Sequence, residues 1–174
     1  KLLTLNSIAM LIQHSHSIDE ILRTALPLLQ KTIEADAVIV YLKKEGTEDL
    51  SLAAHSDIDK NLLEKIPRLR LNSSATGSVF KTHQPIFIQK KVYNDSRILP
   101  EFREFFKKVN VEALAIIPLI SREQIYGAID IVSRASNPFT EELIQILSLV
   151  SNQLGSAIES AQLYNQLQAQ IDQL

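Results

Sequence analysis

Apolar residues recur along the chain with two different periods, and the switches between them divide it into elements. Over residues 2–13, Leu2, Leu5, Ile8, Ala9 and Ile12 keep the spacing of one helix face. A second helical stripe follows, made of Ile18, Ile21, Leu22, Ala25, Leu29 and Ile33. It opens on Ser17-Ile18-Asp19-Glu20, a capping box in which Ser17 takes the Glu20 amide proton and Glu20 reaches back to Ser17. Pro27 lies inside this stripe and lacks the amide proton for one helical bond, so a kink or a break is expected there.

The period then shortens. Ala37 to Leu42 is almost wholly apolar and rich in β-branched residues, which predicts a strand buried on both faces. A turn at Glu45-Gly46-Thr47-Glu48 and a second strand over Leu50 to Ala54 complete a hairpin. Residues 56–72 are polar and weakly patterned, with a short helix predicted near 60–66. Ala75 to Thr82 reads as a helix capped by Ser73 or Ser74. Pro85 to Ile88 reads as a short strand, and Pro100 to Lys108 as a helix with Pro and Glu101 in its first turn. Glu112 to Ile120 and Gln124 to Ser133 are the strongest strands, joined through Ser121-Arg122-Glu123. Thr140-Glu141-Glu142 opens a long terminal helix. Two hairpins without alternating strand–helix units predict an α+β sandwich, with a central antiparallel sheet of five or six strands.

Composition narrows the chemistry more than the fold. The 174 residues suit one domain. None is Cys, which removes disulfides, thiolate nucleophiles and thiolate metal sites together. The formal charge is −2 with both signs interspersed, so no basic stripe for nucleic acid is present. No apolar run approaches the roughly 20 residues of a membrane helix. No nucleophile elbow or metal-ligand spacing occurs.

Four stretches, in order, resemble the GAF family of sensory domains. They are Ser17–Leu22 with Glu34–Leu42, then Thr76–Thr82 running into Gln84–Ile88. Next come Ala115–Ile120 with Ile125–Asp130, and finally Phe139–Leu143 before the terminal helix. The resemblance implies that the first and last helices cover one sheet face. It also implies a small pocket on the other face, roofed by residues 56–108. Apolar spacing and the resemblance together divide the chain into an entry helix (1–16), a GAF domain (17–160) and a coiled-coil signalling extension (161–174). A cytoplasmic, non-enzymatic module is expected, excerpted from a longer signalling protein such as a histidine kinase of a two-component system.

No cofactor is expected. A covalent bilin, an iron–sulfur cluster and the family's methionine-sulfoxide reductase chemistry all need Cys. The cyclic-nucleotide signature of the family is not met, since Asn94 is followed by Asp95 and Phe139 by Thr140. Haem would need an imidazole. Among His14, His16, His55 and His83, His55 is the nearest candidate, although an ordinary surface histidine is the simpler reading of each.

The expected pocket residues are Leu52, His55, Phe87, Tyr93, Phe102, Phe106, Ile117 and Asp130. Aromatic residues crowd the roofing segment, either around a small-molecule ligand or as a filled core. The loop Tyr93 to Arg97 is expected to offer polar contacts at the pocket edge. In the terminal helix, the row Leu143, Leu147, Val150, Leu154, Ala157, Ala161, Tyr164, Gln168 and Ile171 keeps a 4–3 spacing. A homodimer through Leu154, Ala157, Ala161, Tyr164 and Ile171 is expected, with a relay to an output domain.

Overall fold

The computed structural model describes residues 6–10, 14–44, 47, 49–58, 60–65 and 74–174. Residues 6–10 are helical, with Ile8 buried. Leu2, Leu5, Ile12, Ser73 and most of the Glu45–Glu48 turn lie outside the described residues.

Five strands form one antiparallel sheet: β1 (Ala37–Lys43), β2 (Leu50–Ser56), β3 (Ile86–Ile88), β4 (Ala113–Ser121) and β5 (Gln124–Ser133). Their order is β2-β1-β5-β4-β3, so β5 runs through the middle. Helices α1 (Ile18–Ile33) and α5 (Glu141–Asp172) contribute to the core on one face. Two further helices, α3 (Ala75–Thr82) and α4 (Pro100–Lys108), pack on the other, and α2 (Lys60–Lys65) precedes them. The sheet thus divides two apolar clusters, as both faces of its central strands are covered.

Local chemistry accounts for most element ends. Ser17 accepts from the Glu20 amide at 3.3 Å, but the capping box closes differently from expectation. Glu20 accepts from the Ser15 hydroxyl at 3.1 Å, and Ser15 takes the Ser17 amide proton at 3.2 Å. Helix α1 continues unbroken through Pro27 for 16 residues. Its apolar face is fixed to the sheet by Leu22, Ala25, Leu26 and Leu29, whose burial outweighs one missing hydrogen bond. Ser74 caps α3, and Thr140 caps α5. Gln89 brackets Phe139, accepting from its amide at 3.2 Å and donating to its carbonyl at 2.8 Å. That clamp fixes where α5 begins.

The β4–β5 turn is two residues long, with Arg122 and Glu123 both left-handed at φ 50° and 67°. This is the backbone that a right-twisted hairpin favours. From such a turn, an uninterrupted ladder would set Ala115 opposite Asp130. A bulge between Leu119 and Ile120 shifts the register by one, so Ile116 faces Asp130 instead. Beyond the bulge, Gly155 of α5 lies against the backbone of Ile120. Ser121 and Ser156 hydroxyls are 3.4 Å apart, and the Arg122 Nε is 3.6 Å from Glu159 Oε1. The hairpin end therefore holds the terminal helix along one full turn.

Candidate functional site

A small cavity lies between the sheet and the α3–α4 layer. Its floor is Ile39 and Tyr41 from β1, Leu114 and Ile116 from β4, and Asp130 and Val132 from β5. Its roof is Ser74 to Thr76 at the start of α3, with Ile98, Leu99, Phe102 and Phe106. The cavity measures about 40 Å³. At about 10–15 Å³ per water, that is room for two to four water-sized atoms.

Asp130 supplies its charge. Strand alternation puts Ala128, Asp130 and Val132 on one side of β5, and the flanking strands place Ile39 and Ile116 beside the carboxylate. Only 8% of Asp130 is exposed. The Thr76 hydroxyl lies 3.2 and 3.4 Å from the two carboxylate oxygens, which share its one proton. No cation among the described residues lines the cavity. Loss of water pushes the Asp130 carboxyl up to about 7, opposed by the Thr76 hydrogen bond. The same burial, with the Asp130 charge beside it, raises the Tyr41 phenol well above its ordinary value.

Of the expected pocket residues, Phe102, Phe106 and Asp130 meet in the cavity. Ile117 and Phe87 lie on the opposite face and belong to the α1–α5 core. The bulge at Tyr126 of β5, opposite Leu119 and Ile120, is the reason for Ile117, and the pairing of Phe87 with Ala115 is the reason for Phe87, whose ring packs 5.8 Å from Phe139. Leu52 packs against the roof-side cluster but lies outside the cavity lining. His55 sits on edge strand β2, exposed, beside a surface cleft with Arg23 and Pro27. None of the four histidines lines the cavity.

The Tyr93–Arg97 loop does not reach the cavity through either of its ends. Tyr93 donates to Glu112 at 3.1 Å, which raises the phenol's pKa. Arg97 pairs with Asp95 at 2.7 Å and holds that carboxyl below its usual range. The sequence reading missed Thr76 and Tyr41. Thr76 is 54 residues from its partner, so no local pattern joins them. Tyr41 was within reach, because period-2 alternation from Ile39 puts it on the same side of β1.

In α5, Leu154 and Ala161 are fully buried against the domain's own core, and Ala157 packs partly on it. They are covered already, because helix α5 crosses the sheet for longer than its sequence suggested. Tyr164 and Ile171 remain exposed, at 45% and 59%. Tyr164 stacks on His16, with ring centroids 4.0 Å apart.

A five-stranded antiparallel sheet, two helices on one face and a small roofed cavity on the other define a sensory-domain architecture. The GAF domain family model matches residues 17–158, and the chain belongs to that family of regulatory sensor domains. No curated protein matches the chain. Among solved structures it is similar to the GAF domain of a phosphoenolpyruvate-protein phosphotransferase from Coxiella burnetii. That match has TM-score 0.80 and 18% identity, over 94% of this chain and 95% of the other. It is also similar to free methionine-R-sulfoxide reductase from Neisseria meningitidis in complex with its substrate, with TM-score 0.77 and 15% identity over 92% and 89%. A GAF domain/HD domain protein from Geobacter sulfurreducens matches with TM-score 0.74 and 16% identity over 91% and 98%. At these identities the likeness is one of fold. No helix among the described residues is long and apolar enough to cross a membrane.

Proposed function

We propose that this GAF domain is a non-catalytic regulatory module that pairs with a second copy through α5 and relays a signal along it to an output domain. The observation that carries this reading is the exposed apolar seam at the end of α5. Tyr164, Leu167, Ile171 and Leu174 follow one another at intervals of three, four and three residues. Leu167 and Ile171 are each 59% exposed. In heptad terms Tyr164 and Ile171 take the a positions and Leu167 and Leu174 the d positions. A β-branched a residue beside Leu at d suits a parallel two-stranded coil. The flanking residues Gln168 and Gln170 carry no charge, so the pairing is expected to depend little on salt.

The relay would use contacts already described. Asp130 sits mid-strand in β5, the hairpin end grips α5 at Gly155, Ser156 and Glu159, and the helix then leaves the domain beside His16. A change in packing at the cavity would thereby shift the position of α5, a rearrangement of the packed-helix kind.

The test is oligomeric state. Ile171→Glu together with Leu167→Glu is expected to convert a dimeric protein to a monomer, read by light scattering behind size exclusion, with the helical signal of the domain retained. A dimer that survives both changes would show that another surface holds the copies together.

A second reading, small-molecule sensing, is favoured by the cavity itself. A buried carboxylate with no cation beside it among the described residues is costly unless something pairs with it. A molecule that bound there would have its signal delivered directly to β5.

A further inference from the structure

We infer that the roofed face binds a small primary amine with an apolar body, its ammonium group against Asp130 and its body passing Phe106 into the neighbouring cleft. This rests on the ligand-sensing reading above and gives that ligand a chemical class.

Three observations carry it. The first is an acid without a counter-charge: Asp130 has Thr76 as its hydrogen-bond partner, and among the described residues none that lines the cavity brings a positive charge. An ammonium supplies the missing charge and further hydrogen bonds to the carboxylate oxygens. The second is size. A cavity of about 40 Å³ accepts a compact ammonium and the carbon that bears it. A bare metal ion is poorly served, because hard cations need six or more oxygens and these walls are mostly apolar.

The third is the way out. A second cleft, of about 450 Å³, lies on the far side of Phe106 and Val132, which line both spaces. That volume is within the range of small-ligand sites. Its walls include Ile58, Phe105, Val109 and Val111, which suit an apolar chain. Its charged groups are already engaged. Arg134 lies 3.7 Å from Asp36 and donates to the Val109 carbonyl, and Asp57 accepts from Gln30 at 2.6 Å. Among the described residues that line the two spaces, Asp130 is thus the carboxylate left without a cation or an amide partner. A change of the Phe106 side-chain rotamer would join the two spaces.

Binding would depend on pH in a defined way. Facing Asp130 are Tyr41 from β1, Thr76 from α3, Ile116 from β4 and the rings of Phe102 and Phe106 from α4. Among the described lining residues Tyr41 is the other titratable group, and burial, which raises its phenol well above the ordinary value, keeps it neutral. The ammonium then pairs with ionised Asp130, so affinity should rise with pH through about 7.

The probes are n-hexylammonium, 1-hexanol and hexanoate, with binding to the intact chain measured by calorimetry and by the shift in melting midpoint. Hexylammonium is expected to bind at pH 8, and about 30-fold more weakly at pH 5.5, where Asp130 is protonated. Asp130→Asn is expected to weaken it by at least about 30-fold and to abolish the pH dependence. Phe106→Ala should speed association while keeping the preference for the amine. Equal binding of hexanol and hexylammonium, unchanged in Asp130→Asn, would overturn the amine assignment yet leave a ligand site. If none of the three binds the wild-type protein, the amine assignment and the ligand-sensing reading both fail. Should Asp130→Asn not fold, the wild-type pH profile decides, since a flat profile overturns the pairing with Asp130.

Discussion

Asp130→Asn is expected to make the ligand-free domain more stable at pH 8, by about 2–4 kcal/mol. The wild-type carboxyl titrates at about 7 in the folded chain, against an ordinary value of 3.8. Between those two values the folded state binds a proton that the unfolded state has released. Stability therefore falls as pH rises from about 4 to 7, and the loss is complete above 7. The full span corresponds to roughly 4 kcal/mol, and the buried Asn amide, with Thr76 as its partner, recovers somewhat less. Urea unfolding of both proteins at several pH values provides the check, with the difference between them as the quantity read. Asp95 does not confound it. Its carboxyl is held low by Arg97, so its contribution is lost only as pH falls below the ordinary carboxylate range. Curves that run parallel from pH 4 to 8 would show that Asp130 is ionised at no cost in the fold.

Gly155→Ala is expected to cost about 2–3 kcal/mol, lowering the melting midpoint by about 4–12 °C. An added Cβ would stand 2.4 Å from the Ile120 carbonyl oxygen and 2.8 Å from its carbon and nitrogen. All three are backbone atoms of β4, so no side-chain rotation makes room. Either α5 lifts from the sheet or the Ile120 end of β4 moves. The substitution would otherwise favour the helix, since Ala exceeds Gly in helix propensity by about 1 kcal/mol, and a net loss therefore measures the contact. Ser160→Ala, at an exposed position of the same helix, is expected to change stability by less than about 0.5 kcal/mol. Scanning calorimetry of the three proteins separates these outcomes. Because Gly155 lies where the hairpin grips α5, its variant is also expected to weaken any relay from the sheet to the projecting seam.

Much of the architecture was legible because it follows from short-range patterning. The two hairpins, the helices and the caps at Ser17 and Thr140 came from periodicity and from residues within four positions of one another, and Ser74 was one of two candidate caps for α3. The absence of Cys excluded thiol chemistry with no structure at all. Strand alternation set Asp130 on one side with Ala128 and Val132, apart from Ile129 and Ile131.

Other features depended on contacts that the sequence does not encode locally. One bulge at Tyr126 of β5, opposite Leu119 and Ile120, reverses which of Ile116 and Ile117 faces the acid, and the alternation within each strand does not say how the two are registered against each other. Burial of Leu154 and Ala161 depends on how far α5 travels across its own sheet, which the same 4–3 spacing cannot distinguish from pairing with another chain. Phe87 reads as a roof aromatic until β3 is paired with β4. The pairing of Thr76 with Asp130, the closeness of the roof and the Phe106 wall between cavity and cleft all join distant segments. The sequence by itself determined which elements form and what chemistry they exclude, because period and propensity act over a few residues. Only the tertiary structure decided which faces meet, because register and packing are set by the whole sheet at once.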